Sequence, residues 1–219
     1  MILCYTLNII NVGVCLMYFW PDEIDYERLA KEYYDSKVAE FVEENKTLQN
    51  VDVAFVGDSI TDGYNLKYFY PEYITANRGI SADTSFGLED RIKVFVYDIK
   101  PKVVVLLIGI NNITNCLDNY ENVVKGIKDN LPNSKVILQS IYPLNGELAD
   151  RNKHVINVNK EIKNYAMKYN YIYADVHSHL VDLASGELKE NYTDDGIHPN
   201  LEGYKAITGV LKPIISKLV

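Results

Sequence analysis

Two short segments of the sequence hold the residue types that acyl transfer needs for bond making and proton movement. GDSIT places Ser59 beside Asp58, directly after an apolar run, and DGIHP separates Asp195 from His198 by three residues. Side chains at that spacing can meet on one turn, so the carboxylate can hold one ring nitrogen while the other faces a nucleophile. The alternative for each segment is a helix cap, because Asp and Ser also accept bonds from free N–H groups where helices begin.

Two segments between these supply hydrogen-bond donors for a developing negative charge. NRGIS contains Gly79, whose backbone could offer a bare N–H, and GINN contains Asn111, whose side-chain amide could face an oxyanion. The N–H of Ser59 at a predicted helix start would be a third donor. Removing one such donor costs roughly 3–4 kcal/mol of transition-state stabilisation. Taken singly, Gly79 and Asn111 are equally typical of ordinary turns, but the ordered set of four segments contains every group that ester hydrolysis requires.

Apolar, β-branched runs predict the strands that must position these segments. Helical spacing fills the gaps between them, and the last three runs look apolar on both faces, as in a parallel sheet covered by helices on both sides. Ligands of such sheets bind beyond the carboxyl ends of the strands, and three of the four segments directly follow a predicted strand. The strands are predicted at 51–56, 73–77, 103–108, 135–139 and 171–176, and the helices at 25–48, 86–99, 120–130, 151–169 and 199–218.

With these motifs in this order, the sequence resembles the SGNH (GDSL-type) hydrolase family. The four marker residues of that family correspond to Ser59, Gly79, Asn111 and His198, and the resemblance runs from about Val51 to the last predicted helix. It implies a flavodoxin-like, three-layer α/β/α sandwich whose five-stranded parallel sheet has the order 2-1-3-4-5. It also implies a serine esterase that hydrolyses esters without a metal or any other cofactor.

The sequence departs from the usual family pattern in two segments. Ile110 and Asn112 stand where the family commonly has Thr and Asp, which removes a charge beside Asn111. Ala82 stands where a second glycine often follows Gly79. Neither departure changes one of the four marker residues.

Further side chains near the predicted strand ends could contact a substrate. Tyr64 and Tyr142 could stack on a sugar or line an acyl pocket, with packing in the core as the alternative. Asn112 and Asp58 are further candidates, although stabilising the turn is the favoured role of Asp58. These residues are polar or aromatic, whereas a site for long acyl chains needs a continuous apolar groove. We therefore expect a preference for short acyl groups.

The expected function is therefore a serine esterase that hydrolyses short-chain esters, acetyl esters above all, of a carbohydrate or small alcohol through an acyl-enzyme. Alternatives within the family are a lysophospholipase or thioesterase and a platelet-activating-factor acetylhydrolase-like enzyme, because a fold does not choose a substrate. A non-catalytic binding module is the alternative from another class, but a binding module has no need of a base.

Charge and cysteine spacing limit the classes of partner that this protein could bind. The net charge of −8 argues against a nucleic-acid partner, which would need clustered Lys and Arg. The three cysteines, Cys4, Cys15 and Cys116, show no metal-binding spacing, and no acidic or cysteine cluster completes a metal site with His177 and His179. We expect a small-molecule ester as the partner and no metal, and a homo-oligomer stays open.

The length of 219 residues suits a single domain over 1–219, with an apolar segment at 1–20 and a leading helix within 21–50. Residues 1–20 have no Lys or Arg, and Asn8 and Asn11 interrupt their apolar run. A signal peptide needs a positive start and a small-residue cleavage site, so a structural arm, or an upstream extension of 1–16 before Met17, is favoured over a targeting segment. A cytoplasmic location without stable membrane insertion is expected, and a secreted or membrane-associated location stays open.

Overall fold

The computed structural model of this chain describes residues 25–219. The predicted apolar segment, with the alternatives considered for it, lies outside the described residues, as do Cys4 and Cys15. No helix among the residues that the structure describes has both the length and the apolar character needed to cross a membrane.

Five parallel strands form one sheet in the order β2-β1-β3-β4-β5, and helices flank it. This confirms the predicted three-layer architecture and strand order. Parallel pairing places Gly57 at the end of β1 beside Gly79 of β2 and Leu107 of β3, so the segments that follow these strands meet at one edge. The strands are β1 (Val53–Gly57), β2 (Thr75–Gly79), β3 (Val103–Leu107), β4 (Lys135–Gln139) and β5 (Ile172–Ala174).

Burial follows the position of each strand in the sheet. Every residue of β1 and β3 is buried, because these strands pair on both sides and are covered on both faces. The prediction of two apolar, buried faces is wrong for β5, where Ile172 and Tyr173 are half-exposed. That strand pairs only with β4 and has three residues, as expected of a strand at the edge of a sheet.

Eight α-helices lie among the described residues. Capping side chains explain two of their starts: Thr84 accepts the N–H of Gly87 at the start of α4, and Asn200 caps α8, which therefore begins two residues after the predicted start at 199. The predicted helix over 86–99 is divided into α4 and a π-helical segment, Lys93–Tyr97. The helices are α1 (Tyr26–Asn45), α2 (Ser59–Asp62), α3 (Leu66–Phe69), α4 (Ser85–Ile92), α5 (Leu117–Asn130), α6 (Asn152–Tyr169), α7 (His177–Leu180) and α8 (Leu201–Ile215).

Candidate active site

Ser59 and His198 meet at the carboxyl edge of the sheet although 139 residues separate them. Ser59 is the first residue of α2, and its Oγ lies 2.9 Å from Nε2 of His198. The other ring nitrogen, Nδ1, lies 2.7 Å from Oδ2 of Asp195. Both distances fall within the hydrogen-bond range that a nucleophile, its base and an orienting carboxylate require.

A tight turn holds the two residues of the DGIHP segment together. Asp195 Oδ1 accepts the backbone N–H groups of Ile197 at 3.0 Å and His198 at 2.8 Å. Gly196 has a φ of 84°, and a Cβ there would lie 2.6 Å from the carbonyl oxygen of Asn145, so glycine is required at this position.

Asp195 is held in its ionised form by this turn. Partial burial pushes the pKa of its carboxyl up, but the bonds from the ring and backbone N–H of His198 outweigh burial and lower that pKa to about 2. An ionised Asp195 favours the tautomer with the proton on Nδ1, which leaves the Nε2 lone pair of His198 facing the hydroxyl of Ser59.

Asp58 lies beneath the site and is not exposed at all. Its Oδ1 caps α2 by accepting the N–H of Ile60 at 3.1 Å, and its Oδ2 has no hydrogen-bond partner among the described residues. Burial, reinforced by the nearby Asp83 carboxylate, raises the pKa of Asp58 to about 7. The prediction of Asp58 as a substrate contact is wrong, because a substrate cannot reach it, and its role in the turn holds instead.

The prediction of a free N–H at Gly79 is also wrong. That N–H donates to Oδ1 of Asn77 at 2.9 Å, so it is not available to a ligand. A Cβ on Gly79 would lie 2.1 Å from the backbone nitrogen of Asp62. Glycine is needed here because α2 packs directly against the end of β2.

Ala82 offers the free donor that was expected at Gly79. It is exposed, and its N–H has no hydrogen-bond partner within residues 25–219. Its φ of 65° is unusual for a residue with a Cβ and costs about 1–2 kcal/mol. The sequence held one signal for this conformation. Ala82 stands where the family often has glycine, and glycine adopts a positive φ without strain.

Asn111 points toward the same loop. Its Nδ2 donates to the carbonyl oxygen of Asp83 at 2.8 Å, and because an amide nitrogen carries two hydrogens, one remains for a ligand. The side-chain amide of Asn112 accepts the backbone N–H of Ser85 through Oδ1 and donates to the Ser85 hydroxyl through Nδ2. Both atoms of this amide therefore hold the start of α4.

A buried ion pair fixes the loop from beneath. Arg91 Nε donates to Oδ2 of Asp83 at 2.6 Å, and its other nitrogens donate to the carbonyl oxygens of Gly57 and Arg78. Both side chains are almost fully buried. One guanidinium group therefore joins the ends of β1 and β2 to the loop that presents Ala82.

The sequence model of the GDSL-like Lipase/Acylhydrolase family matches residues 55–206, which contain every residue of this site. The chain belongs to this family. It is accordingly a carboxylic ester hydrolase.

Individual proteins resemble this acylhydrolase over different lengths. A platelet-activating factor acetylhydrolase IB subunit beta homolog of Drosophila melanogaster is 36% identical over 104 residues, 42% of this chain. The match covers 45% of that relative, so the chain spans less than half of its length. A Streptococcus pneumoniae protein named for platelet activating factor is 25% identical with a TM-score of 0.79, covering 87% of this chain and 96% of its own. A GDSL-like lipase from Bacteroides thetaiotaomicron is 26% identical with a TM-score of 0.74, covering 83% and 98%.

Two tyrosines predicted near the substrate lie in the core of the acylhydrolase. Tyr64 stacks on Tyr204 with ring centroids 4.7 Å apart, and its hydroxyl bonds Thr208 Oγ1 at 2.6 Å. Tyr142 is buried, and its hydroxyl donates to Oε1 of Gln139. Both predictions of substrate contact are wrong, and core packing, the alternative, explains both residues. Sequence reasoning missed Tyr204, whose hydroxyl donates to the carbonyl oxygen of Ile60 and so supports α2.

An open cavity of about 360 Å³ adjoins Asn111. It is lined by residues 111–114, which include Asn112, and by Asp150, Arg151, Lys153 and His154. Seven of these eight residues have side chains that can form hydrogen bonds, and Ile113 is the exception. Its size lies near the lower end of the range for small-molecule sites.

His177, His179 and Cys116 form no hydrogen bond with Ser59, Asp195 or His198 among the described residues. Among residues 25–219, no group of three or more metal-ligating side chains lies together. His177 is half-buried, and His179 bonds the carbonyl oxygen of Asp175 through Nδ1. Cys116 is buried, and burial raises the pKa of its thiol to about 11, which keeps it protonated and unreactive.

Proposed function

We propose that this acylhydrolase cleaves short-chain esters, acetyl esters above all, of a carbohydrate or small alcohol through an acyl-enzyme on Ser59. The proposal rests on one observation: two consecutive hydrogen bonds connect Asp195 to His198 and His198 to the Ser59 hydroxyl. A nucleophile, a base and an orienting carboxylate in this geometry perform acyl transfer on many unrelated folds.

In the first half of the reaction, the Ser59 hydroxyl attacks the ester carbonyl carbon while His198 Nε2 takes its proton. The carbonyl oxygen becomes an oxyanion. As the intermediate collapses, the bond to the alcohol breaks, and the imidazolium returns the proton to the leaving oxygen. Asp195, ionised through this cycle, stabilises the positive charge that forms on His198.

The oxyanion lies, in this proposal, among the N–H groups of Ser59 and Ala82 and the side-chain amide of Asn111. Ala82 replaces Gly79 in this role because the Gly79 N–H is already bonded to Asn77. The first-turn position of Ser59 supports its part, since N–H groups there have no partner within the helix. Each donor contributes most when it is held in place before the charge forms.

In the second half, water attacks the acyl carbon of the acyl-enzyme, with His198 again taking the proton. The bond from the acyl group to Ser59 Oγ breaks, the proton returns to that oxygen, and the free acid leaves. Two acyl transfers of the same kind therefore share one base and one set of oxyanion donors.

The cavity beside Asn111 supports a polar alcohol as the leaving group. Its amides, hydroxyl, carboxylate and cationic side chains match the hydroxyl groups of a sugar better than a hydrocarbon chain. The acetylhydrolase named among the relatives supports the acetyl group. The same relative favours a platelet-activating-factor acetylhydrolase-like activity as the second candidate.

Hydrolysis of p-nitrophenyl acetate tests the nucleophile. Ser59→Ala should abolish turnover with an unchanged melting temperature, whereas Ser178→Ala, at an exposed serine of α7, should keep wild-type turnover. The native enzyme should also gain one phosphonyl group from a fluorophosphonate probe, on Ser59. Near-wild-type turnover by Ser59→Ala would refute the mechanism.

A substrate panel tests the acyl and alcohol groups. We expect kcat/KM for p-nitrophenyl acetate to exceed that for the octanoate, because seven of the eight described residues that line the cavity beside Asn111 have polar or charged side chains. An added methylene gains about 0.8 kcal/mol only where an apolar groove receives it. Acetylated sugars should be cleaved faster than platelet-activating factor itself. A higher kcat/KM for the octanoate would contradict the acyl preference, and faster cleavage of platelet-activating factor would favour the second candidate.

A further inference from the structure

Helix α1 reaches the catalytic edge of the sheet although it precedes the residues that the family model matches. The hydroxyl of Tyr33, in its middle, donates to Oδ2 of Asp62 at 2.5 Å. One turn further on, Lys37 Nζ lies 3.7 Å from Oδ1 of the same carboxylate. The Asp62 side chain is only 7% exposed, so these contacts form in a place that water scarcely reaches.

Asp62 connects three parts of the molecule. It is the last residue of α2, the helix that begins with Ser59. Its Oδ2 also accepts the backbone N–H of Ser81 at 3.2 Å and the hydroxyl of Ser81 at 2.9 Å. A single carboxylate therefore joins α1 to the helix of the nucleophile and to the residue before Ala82.

The peptide between Ser81 and Ala82 carries the N–H assigned to the oxyanion. Ala82 holds a positive φ at a cost of about 1–2 kcal/mol, so the loop must be restrained from outside to keep this conformation. Asp83, held by Arg91, restrains it on the far side of Ala82. On the near side the restraint is Ser81 bonded to Asp62, and Tyr33 completes that cluster.

We propose that Tyr33 is a positioning residue for the oxyanion donor of Ala82, acting through Asp62 and Ser81. The inference rests on the proposed function, since it assumes that Ala82 N–H stabilises charge during acyl transfer. It gives α1, which lies outside the residues matched by the family model, a part in the chemistry of the site.

The state of the phenol suits this role. Burial, together with the hydrogen bond to the Asp62 carboxylate, raises the pKa of Tyr33, so the phenol keeps its proton and remains a donor at every working pH. Hydrogen bonds to a charged acceptor are stronger and more directional than bonds between neutral groups. Replacing Tyr33 by phenylalanine keeps the ring and removes only this bond.

Steady-state kinetics of Tyr33→Phe on p-nitrophenyl acetate test the inference. We expect kcat to fall by about 10–100-fold with KM within about 2-fold of wild type, because a misplaced donor is felt where the charge develops. The matched control is Tyr34→Phe, the next residue of α1, whose hydroxyl has no hydrogen-bond partner among the described residues. It should keep wild-type kcat, and both variants should keep their far-UV spectra.

A double-mutant cycle separates positioning from a general loss of stability. If Tyr33 acts through the carboxylate, adding Tyr33→Phe to Asp62→Ala should change kcat by less than about 2-fold, since the path is already broken. Independent, multiplying losses would overturn the inference. So would wild-type kcat in Tyr33→Phe while Ser59→Ala is inactive, and that result would leave the proposed function standing. Wild-type turnover in Ser59→Ala would overturn the proposed function and the inference with it.

Discussion

Replacing Asp58 by asparagine should change how the stability of this enzyme depends on pH. The carboxyl is fully buried, one oxygen caps α2, and the other has no partner among residues 25–219. An amide retains an oxygen for the N–H of Ile60 and carries no charge at any pH. Asp58→Asn therefore removes a titration from the interior while keeping the cap.

The magnitude follows from the raised pKa. An aspartate in the unfolded chain titrates near a pKa of about 3.9, whereas burial raises the pKa of Asp58 in the folded enzyme to about 7. Between these values the folded state holds one more proton than the unfolded state, so the free energy of unfolding falls by about 1.4 kcal/mol for each unit of rising pH. The stabilisation is complete below the unfolded pKa and lost above the folded one. About 3 kcal/mol of it should disappear between pH 5 and pH 8.

Urea unfolding of both proteins at pH 5, 6, 7 and 8 measures this loss. The free energy of unfolding of Asp58→Asn, relative to wild type, should rise by about 3 kcal/mol across the series. Asp52→Asn is the control: a bond from Lys102 lowers the pKa of Asp52, so its contribution is lost only in more acidic solution. Its difference from wild type should stay constant from pH 5 to pH 8. Parallel stability curves for wild type and Asp58→Asn would refute the reasoning.

Four further outcomes are expected. Gly79→Ala should lower the free energy of unfolding by about 1–3 kcal/mol in a urea titration and reduce activity, because the added Cβ meets the Asp62 backbone, and an unchanged midpoint would contradict that contact. Ala82→Gly should raise the same free energy by up to about 1 kcal/mol by relieving the positive φ, and a lower value would argue against strain there. Asp195→Asn should reduce kcat on p-nitrophenyl acetate by about 10⁴-fold, since the amide favours the wrong tautomer of His198, and a loss below about 10-fold would count against the triad. Incubation with EDTA should leave the rate unchanged, whereas loss restored by zinc or calcium would show that a metal takes part.

Local patterns in the sequence predicted the five strands and the three residues of the proposed triad, whereas the strand order was implied by the resemblance to the family. Strands of five apolar residues bounded by Gly or Pro can be recognised from their own composition, and their order along the chain allows few parallel topologies. Asp195 and His198 were predictable as a pair because a spacing of three residues places both side chains on one turn. Ser59 was predictable because the residue after a buried parallel strand must lie at the edge where ligands bind.

Which backbone N–H is free at that edge depended on contacts between distant segments. The side chain of Asn77 occupies the Gly79 N–H, and α2 lies so close that only glycine fits there. The sign of φ at Ala82 is likewise set by the anchors around it, and no propensity of alanine predicts it.

Packing also decided where the tyrosines predicted as substrate contacts lie. Tyr64 lies in the core because Tyr204 and Thr208 of α8, more than a hundred residues later, cover it and bond its hydroxyl. Composition and spacing determined which residues could do chemistry, since both are properties of the local chain. Only the tertiary structure decided which of them face a substrate, because exposure, hydrogen-bond partners and backbone strain arise where remote segments meet.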